Sequence, residues 1–348
     1  MKVDLNKIKL TFLTDSVRRE KMSDERYFSK EFSNYISNSR LKLINPDQEG
    51  SPELYEKGLQ GESTTSLNIG SSVHELVLQP ENFELGPDLN KPTAKLGMVI
   101  DSIYEFRQSG LTILDSIIAA CNKIHYYENK LDYNRITAII TAGLEYYMKM
   151  KQFDLSRTIL LSAKDRKTVE TCVRNLIENY FIHKVLYPTD IFDDPMPYFN
   201  EDAFFIDIKG EYEDKNCILQ VKMKADNWTV DEENKILTLN DLKTTSHFIG
   251  YFMETSFINY HYSRQFALYL AILVEYAKQK YNLDDNWQIR CNVIVVETTG
   301  ENRAQIFSIN DSILESGKRE FEKLLKMVAF CEINGYKNEY DFYDNDGN

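Results

Sequence analysis

The tripeptide Asp241-Leu242-Lys243 places an acid and a base two residues apart, and on a strand that spacing puts both side chains on one face. Upstream, Gln220, Lys222, Lys224 and Asp226 alternate with Leu219, Val221, Met223 and Ala225, so a second strand would carry Asp226 on the face opposite its apolar row. Were these strands neighbours, the two carboxylates would come close. At about 4 Å and an effective dielectric near 20, like charges repel by roughly 4 kcal/mol, enough to require a cation or a proton between them. Oxygen-only donors suit a hard cation such as Mg²⁺, which polarises a phosphodiester and lowers the pKa of an attacking water. Lys243 would then steady the water or the charge developing on phosphorus oxygens. Alone, Asp-x-Lys also describes an ordinary surface ion pair. Gln265 and Tyr269, four residues apart and thus on one helical face, add a polar group to an otherwise apolar stripe. A glutamine satisfied by backbone is the plainer reading of that feature.

Three strands are predicted over Ala203 to Tyr212, Cys217 to Asp226 and Lys235 to Lys243, separated by Asp-, Glu- and Asn-rich turns that suggest an antiparallel meander. A helix from about Phe257 to Tyr281 follows. Strands over Arg290 to Glu297 and Arg303 to Ile309 then precede a last helix, with Asp311 as its N-cap and Gly335 at its C-terminal end. Earlier, Asp24 to Gly70 reads as short helices joined by turns. From Ser71 to about Tyr187 apolar residues recur at helical spacing, as in Ile113, Leu114, Ile117, Ile118 and Cys121, and again in Ile136, Ile139, Ile140 and Leu144. The expectation is an α+β chain with a mostly helical first half. Its segments are an N-terminal part over 1–70, a main domain over 71–335 with a helical insertion at about 95–166, and an acidic tail over 336–348 that is mobile or a partner hook.

The 348 residues, 43% of them apolar, can build a full core. No run approaches the roughly 18 apolar residues that span a bilayer, and Met1 to Lys9 is charged rather than signal-like, so a cytoplasmic, non-membrane protein is expected. The five cysteines are scattered without a CxxC pair and read as buried free thiols. A net charge of -13 argues against a protein that coats nucleic acid through a generally basic surface, but leaves room for a local groove. The basic clusters Arg18, Arg19 and Lys21; Lys164, Arg166 and Lys167; and Lys222 with Lys224 each read as a solvated face.

Asp226, then Asn240-Asp241-Leu242-Lys243-Thr244-Thr245, then Tyr262-Ser263-Arg264-Gln265-Phe266-Ala267-Leu268-Tyr269, resembles the PD-(D/E)XK nuclease superfamily, and within it the exodeoxyribonuclease VIII (RecE-like) branch of phages and prophages. Gly70 to Glu81 resembles that branch's helix with a metal-binding histidine, and Ile36 to Lys42 its N-terminal motif. The resemblance implies a restriction-endonuclease-like core, a central mixed sheet flanked by helices. It implies a Mg²⁺-dependent exonuclease, with Mn²⁺ as substitute, that degrades linear duplex DNA from the 5′ end. The 3′ single strands left would pass to a single-strand annealing protein, and homo-oligomers occur in the family. Asp226, Asp241 and His74 would bind metal, Lys243 would be the catalytic lysine, and Gln265 with Tyr269 would match the Q-x-x-x-Y motif. The family's upstream acid has three candidates, Glu201, Asp207 and Glu211; Glu201 is preferred because it opens a strand. His74, beside Ser72 and Glu75, also fits a capping box at a helix start. The interval from Asp226 to Asp241 is longer than the family's, which a longer hairpin through Asp231 to Asn234 would explain. Cutting at internal or branched sites, or an idle DNA-binding fold, are the competing functions.

Overall fold

The computed structural model describes all residues except 59–64, 88–90, 93, 129, 190–191 and 345–348, and the backbone alone of 65–68. The chain forms two compact units, one of residues 63–177 with 298–303, the other of residues 1–62, 178–297 and 304–348.

The first unit is helical: α1 (Thr65–Leu78), α2 (Ala94–Gln108), α3 (Ile113–Lys123), α4 (Tyr133–Met150) and α5 (Ala163–Ile177). Its core joins Val99, Ile100 and Ile103 of α2 to Ile117 and Cys121 of α3 and to Ile139 and Tyr146 of α4. Of the apolar residues at helical spacing, Ile113, Leu114, Ile118, Ile140 and Leu144 stay exposed, because the stripe on α3 and α4 is wider than the face each turns to α2. Helix α1 begins nine residues before His74, so Ser72 lies buried in its interior and the capping box expected at Ser72 and Glu75 does not exist.

The second unit is built on a six-stranded mixed sheet: β1 (Ile8–Lys21), β2 (Tyr198–Tyr212), β3 (Lys215–Asp231), β4 (Ile236–Thr245), β5 (Gln288–Glu297) and β6 (Ala304–Ser308), in that spatial order. Neighbours are antiparallel except β4 and β5, which run parallel. A parallel pair needs a long crossover, and here it is α7 (Tyr262–Tyr281). The meander of β2 to β4 is as the turns suggest, and the acidic insert forms the tip of a long β3–β4 hairpin. Strand β1 was not legible. Its Thr, Asp and Arg residues hide the alternation, and its register shifts between Leu13 and Arg18.

Helices α7 and α8 (Asp311–Asn334) pack on one face of the sheet over Phe204, Ile206, Val221, Met223, Leu237 and Leu239. They approach closely where α8 carries Gly317: a Cβ there would meet the Ser263 carbonyl oxygen at 2.0 Å. Below that crossing, Arg264 is buried and bonds Asn38, Gln48 and Glu320, tying α7 to the N-terminal segment. The short α6 (Tyr180–Leu186) lies against the other face, where its terminal carbonyls meet asparagines of β3 and β4.

Three expectations need correction. The helix expected from Phe257 is broken by His261 at φ 53, leaving Ser256–Asn259 separate from α7. Asn310, not Asp311, caps α8, its side chain accepting from the Ile313 amide. The tail is not mobile over Asp341–Tyr343, which pairs in parallel with Lys2–Asp4; residues 345–348 lie outside the described residues. Among the described residues no helix is long and apolar enough to cross a membrane.

Gly317→Ala tests the α7–α8 crossing. A methyl group against backbone forces the helices apart and should cost about 1–3 kcal/mol, read as a lower midpoint in denaturant unfolding. An unchanged midpoint would show that the two helices are not held this close.

Candidate functional site

The pleat of β2 and β3 slips by one residue at the same level. In β3, Ala225 and Trp228 both face the core although they are three residues apart. In β2, Asp202 accepts from the Trp228 indole at 2.9 Å and Phe199 stacks on the same ring at 4.2 Å, again three apart. Glu201 carries the slip in β2, with φ 55. The opposing slip falls at Asp226. Because both strands slip together, register is kept: Asp202 pairs with Ala225 and Asn200 with Asn227, while Glu201 and Asp226 stand opposite each other outside the ladder. A non-glycine residue in the left-handed region costs of order 1 kcal/mol or more, and such strain concentrates at functional positions.

The ladder between β3 and β4 also stops here, at Asn227 and Asn240. Beyond it the Leu242 amide, which would otherwise bond to a strand, donates to Asp226 Oδ2 at 2.8 Å. That bond brings Asp226 to the backbone between Asp241 and Lys243. Asp241 follows Leu237 and Leu239 with strand period and so faces α7, where Gln265 Nε2 donates to its Oδ1 at 2.8 Å and Lys243 Nζ meets its Oδ2 at 2.5 Å. A carboxylate oxygen of Glu201 and one of Asp226 lie within 4.8 Å. Lys224 forms an ion pair with both Glu201 and Asp24.

Charge on these groups is strongly perturbed. Burial, then the Asp226 charge, raises Glu201 to about 7 against the pull of Lys224. Burial also raises Asp226, opposed by Lys243 and the Leu242 amide. Desolvation draws the Lys243 ammonium down, but Asp241 and Asp226 outweigh it and leave its pKa raised. Tyr269 is raised well above its ordinary value by burial and by Tyr27, Asp241, Asp226 and Glu201.

The structure thus draws together six of the residues read from sequence: Glu201, Asp226, Asp241, Lys243, Gln265 and Tyr269. Of the three candidates for the upstream acid, Glu201 alone is in register with Asp226. Asp207 lies six residues, roughly 20 Å of strand, further along, and Glu211 is paired with Lys209. His74 belongs to the helical unit, in the interior of α1 and half-buried. Of the basic residues near the site, Arg18 and Lys21 do lie on a solvated face, whereas Arg19, Lys222 and Lys224 turn inward. Arg19 pairs with buried Asp202 at 2.9 Å, and Lys222 is buried, donating to the Tyr27 carbonyl at 2.8 Å.

Two features were missed. Tyr262 lays its ring 5.2 Å from Lys243 Nζ, a cation–π contact on one side of the lysine. Each acid of the cluster is also flanked in sequence by an asparagine, Asn200, Asn227 or Asn240, a signal visible only once the strands are in register.

No protein-family model matches the chain, and no curated protein matches it. Among solved structures, the crystal structure of a "putative exonuclease" from Eubacterium rectale is similar at 12% identity and a TM-score of 0.43, over 88% of this chain and 86% of that one. At that identity and score the likeness assigns this chain neither a fold family nor an activity.

The carboxyl cluster predicts an unusual pH dependence of stability. A Glu201 pKa raised from 4.5 to about 7 means that the folded protein holds this proton more tightly than the unfolded chain does. Its stabilising effect is complete below pH 4.5 and is lost as pH rises to about 7, a change of about 3 kcal/mol. With chelator present, the wild type should lose that much more stability than Glu201→Gln between pH 5 and pH 8 in urea unfolding. Equal losses would mean that Glu201 titrates as an ordinary surface acid.

Proposed function

We propose that the sheet-based unit is a divalent-cation-dependent deoxyribonuclease of PD-(D/E)XK type. Within that type we propose the RecE-like reading, an exonuclease that degrades linear duplex DNA from its 5′ ends and leaves 3′ strands for an annealing partner. The observation that carries the hydrolase reading is the bond from the Leu242 amide to Asp226. It sets one acid beside the strand segment that holds Asp241 and Lys243, next to Glu201 on the adjoining strand.

The donor set fits a hard cation. Glu201, Asp226 and Asp241 offer only oxygen, Glu201 and Asp241 are buried, and like charges on Glu201 and Asp226, which bring carboxylate oxygens within 4.8 Å of each other, repel by roughly 3 kcal/mol or more at an effective dielectric near 20. Bound there, Mg²⁺ or Mn²⁺ would polarise the phosphodiester and make a water nucleophilic near neutral pH. His74 is proposed as a further ligand on the sequence resemblance alone.

The chain's own groups do the rest. Asp241 and Asp226 keep Lys243 protonated, so that it can donate to the attacking water or to the phosphoryl oxygens as charge grows on them. Gln265 fixes the Asp241 carboxylate by donating to one oxygen, leaving the other to face Lys243. The Tyr262 ring covers one side of Lys243, and the lower local dielectric there strengthens that donation. DNA reaches an acidic chain through local lysines only, so binding should weaken steeply with salt.

The test is loss of linear duplex DNA beside a closed circle, with Mg²⁺ or with EDTA. The wild type should degrade the linear substrate alone, only with Mg²⁺, and Lys243→Ala should be slower by on the order of 100-fold or more. Cutting of the circle would replace the exonuclease with an endonuclease, and no cutting under any condition would overturn the reading.

A further inference from the structure

On the sheet face away from α7 and α8, four asparagines on adjacent strands bond side chain to side chain across the sheet. Ser308 Oγ of β6 donates to Asn292 Oδ1 of β5 at 3.1 Å, and Asn292 Nδ2 donates to Asn240 Oδ1 of β4 at 2.9 Å. Asn240 Nδ2 donates to Asn227 Oδ1 of β3 at 2.7 Å, and Asn227 Nδ2 to Asn200 Oδ1 of β2 at 2.7 Å. Asn227 and Asn240 are wholly buried, and their remaining amide hydrogens reach the Leu186 and Val185 carbonyls of α6 at 3.1 and 3.4 Å. Every amide points the same way, so each bond polarises the next.

Three of these asparagines are chain neighbours of the three acids: Asn200 of Glu201, Asn227 of Asp226, Asn240 of Asp241. Asn227 and Asn240 also form the last paired rung before the β3–β4 ladder opens, and Asn200 pairs with Asn227 from β2. Where backbone bonds between strands are given up, something else has to fix the distance between those strands. We infer that the asparagine ladder is a positioning device, in which Asn200, Asn227 and Asn240 hold β2, β3 and β4 at the separation that lets Asp226 reach the Leu242 amide and face Glu201. Buried amides of this kind cost desolvation unless every group is paired, so a ladder kept only for stability would gain from apolar replacement. The inference rests on the reading of Glu201, Asp226 and Asp241 as one site.

Asn227→Ala removes the middle rung, and Asn292→Ala removes a rung of the same ladder that neighbours none of the three acids. The readouts are the thermal midpoint, hydrogen exchange at the Leu242 amide resolved by fragmentation, and the rate of linear-DNA cleavage. Both variants should lose a similar amount of midpoint. Only Asn227→Ala should speed Leu242 exchange tenfold or more and lower cleavage to match; Asn227→Ser serves if the alanine variant does not fold. Leu242 exchange that is unchanged, or that rises equally in both variants, overturns the inference. Faster exchange in Asn227→Ala alone, from a protein that cleaves no DNA with any cation, would keep the ladder and remove the nuclease reading.

Discussion

The site depends on one exchange of partners. Beyond Asn227 and Asn240 the β3–β4 ladder is open, and the Leu242 amide takes Asp226 Oδ2 as its acceptor. A buried amide left unsatisfied would cost about 1–3 kcal/mol, so the carboxylate is held where the backbone needs it. That constraint fixes Asp226 relative to Asp241 and Lys243, the neighbours of Leu242. The slip shared by Glu201 and Asp226 brings the third acid alongside without disturbing the pairing on either side.

The second constraint is charge. Three carboxyl groups in a desolvated corner are stable only if neutralised, and the chain supplies two lysines for this, Lys224 at Glu201 and Lys243 at Asp241. Helix α7 supplies the neutral donors and walls, Gln265, Tyr262 and Tyr269, and it is locked in place by the Gly317 crossing and by buried Arg264. The scaffold therefore concentrates its buried polar groups in one small region, in keeping with the concentration of perturbed pKa values at functional sites.

Much of this unit was legible because its strands alternate and its turns are rich in Asp, Glu and Asn. The three strands of the meander, the helix after them and the two strands beyond it follow from period and punctuation, whereas the full strand lengths and the helix's role as a crossover to a parallel partner come only from the structure. The Asp241 and Lys243 pair could be read because both lie on one regular strand. What escaped depended on departures from regularity or on distant pairing. Strand β1 is bulged and charge-rich, and the left-handed Glu201 and His261 leave no periodic trace. Glu201 was preferred as the upstream acid for opening a strand, but it lies inside β2, and what sets it opposite Asp226 is register, which sequence spacing does not supply. The asparagines beside each acid read as turn residues until the strands align them. His74 looked like a helix start because Ser72 and Glu75 imitate one, whereas the helix begins at Thr65.

On the proposed reading, Glu201, Asp226 and Asp241 together hold one divalent cation. It is tested most directly by calorimetric titration of Mn²⁺ into chelator-stripped protein, with Asp226→Asn alongside. Saturable binding to the wild type that weakens tenfold or more in Asp226→Asn, with the variant still folded, is the result expected. No saturable binding to the wild type, or equal binding to both proteins, would contradict it.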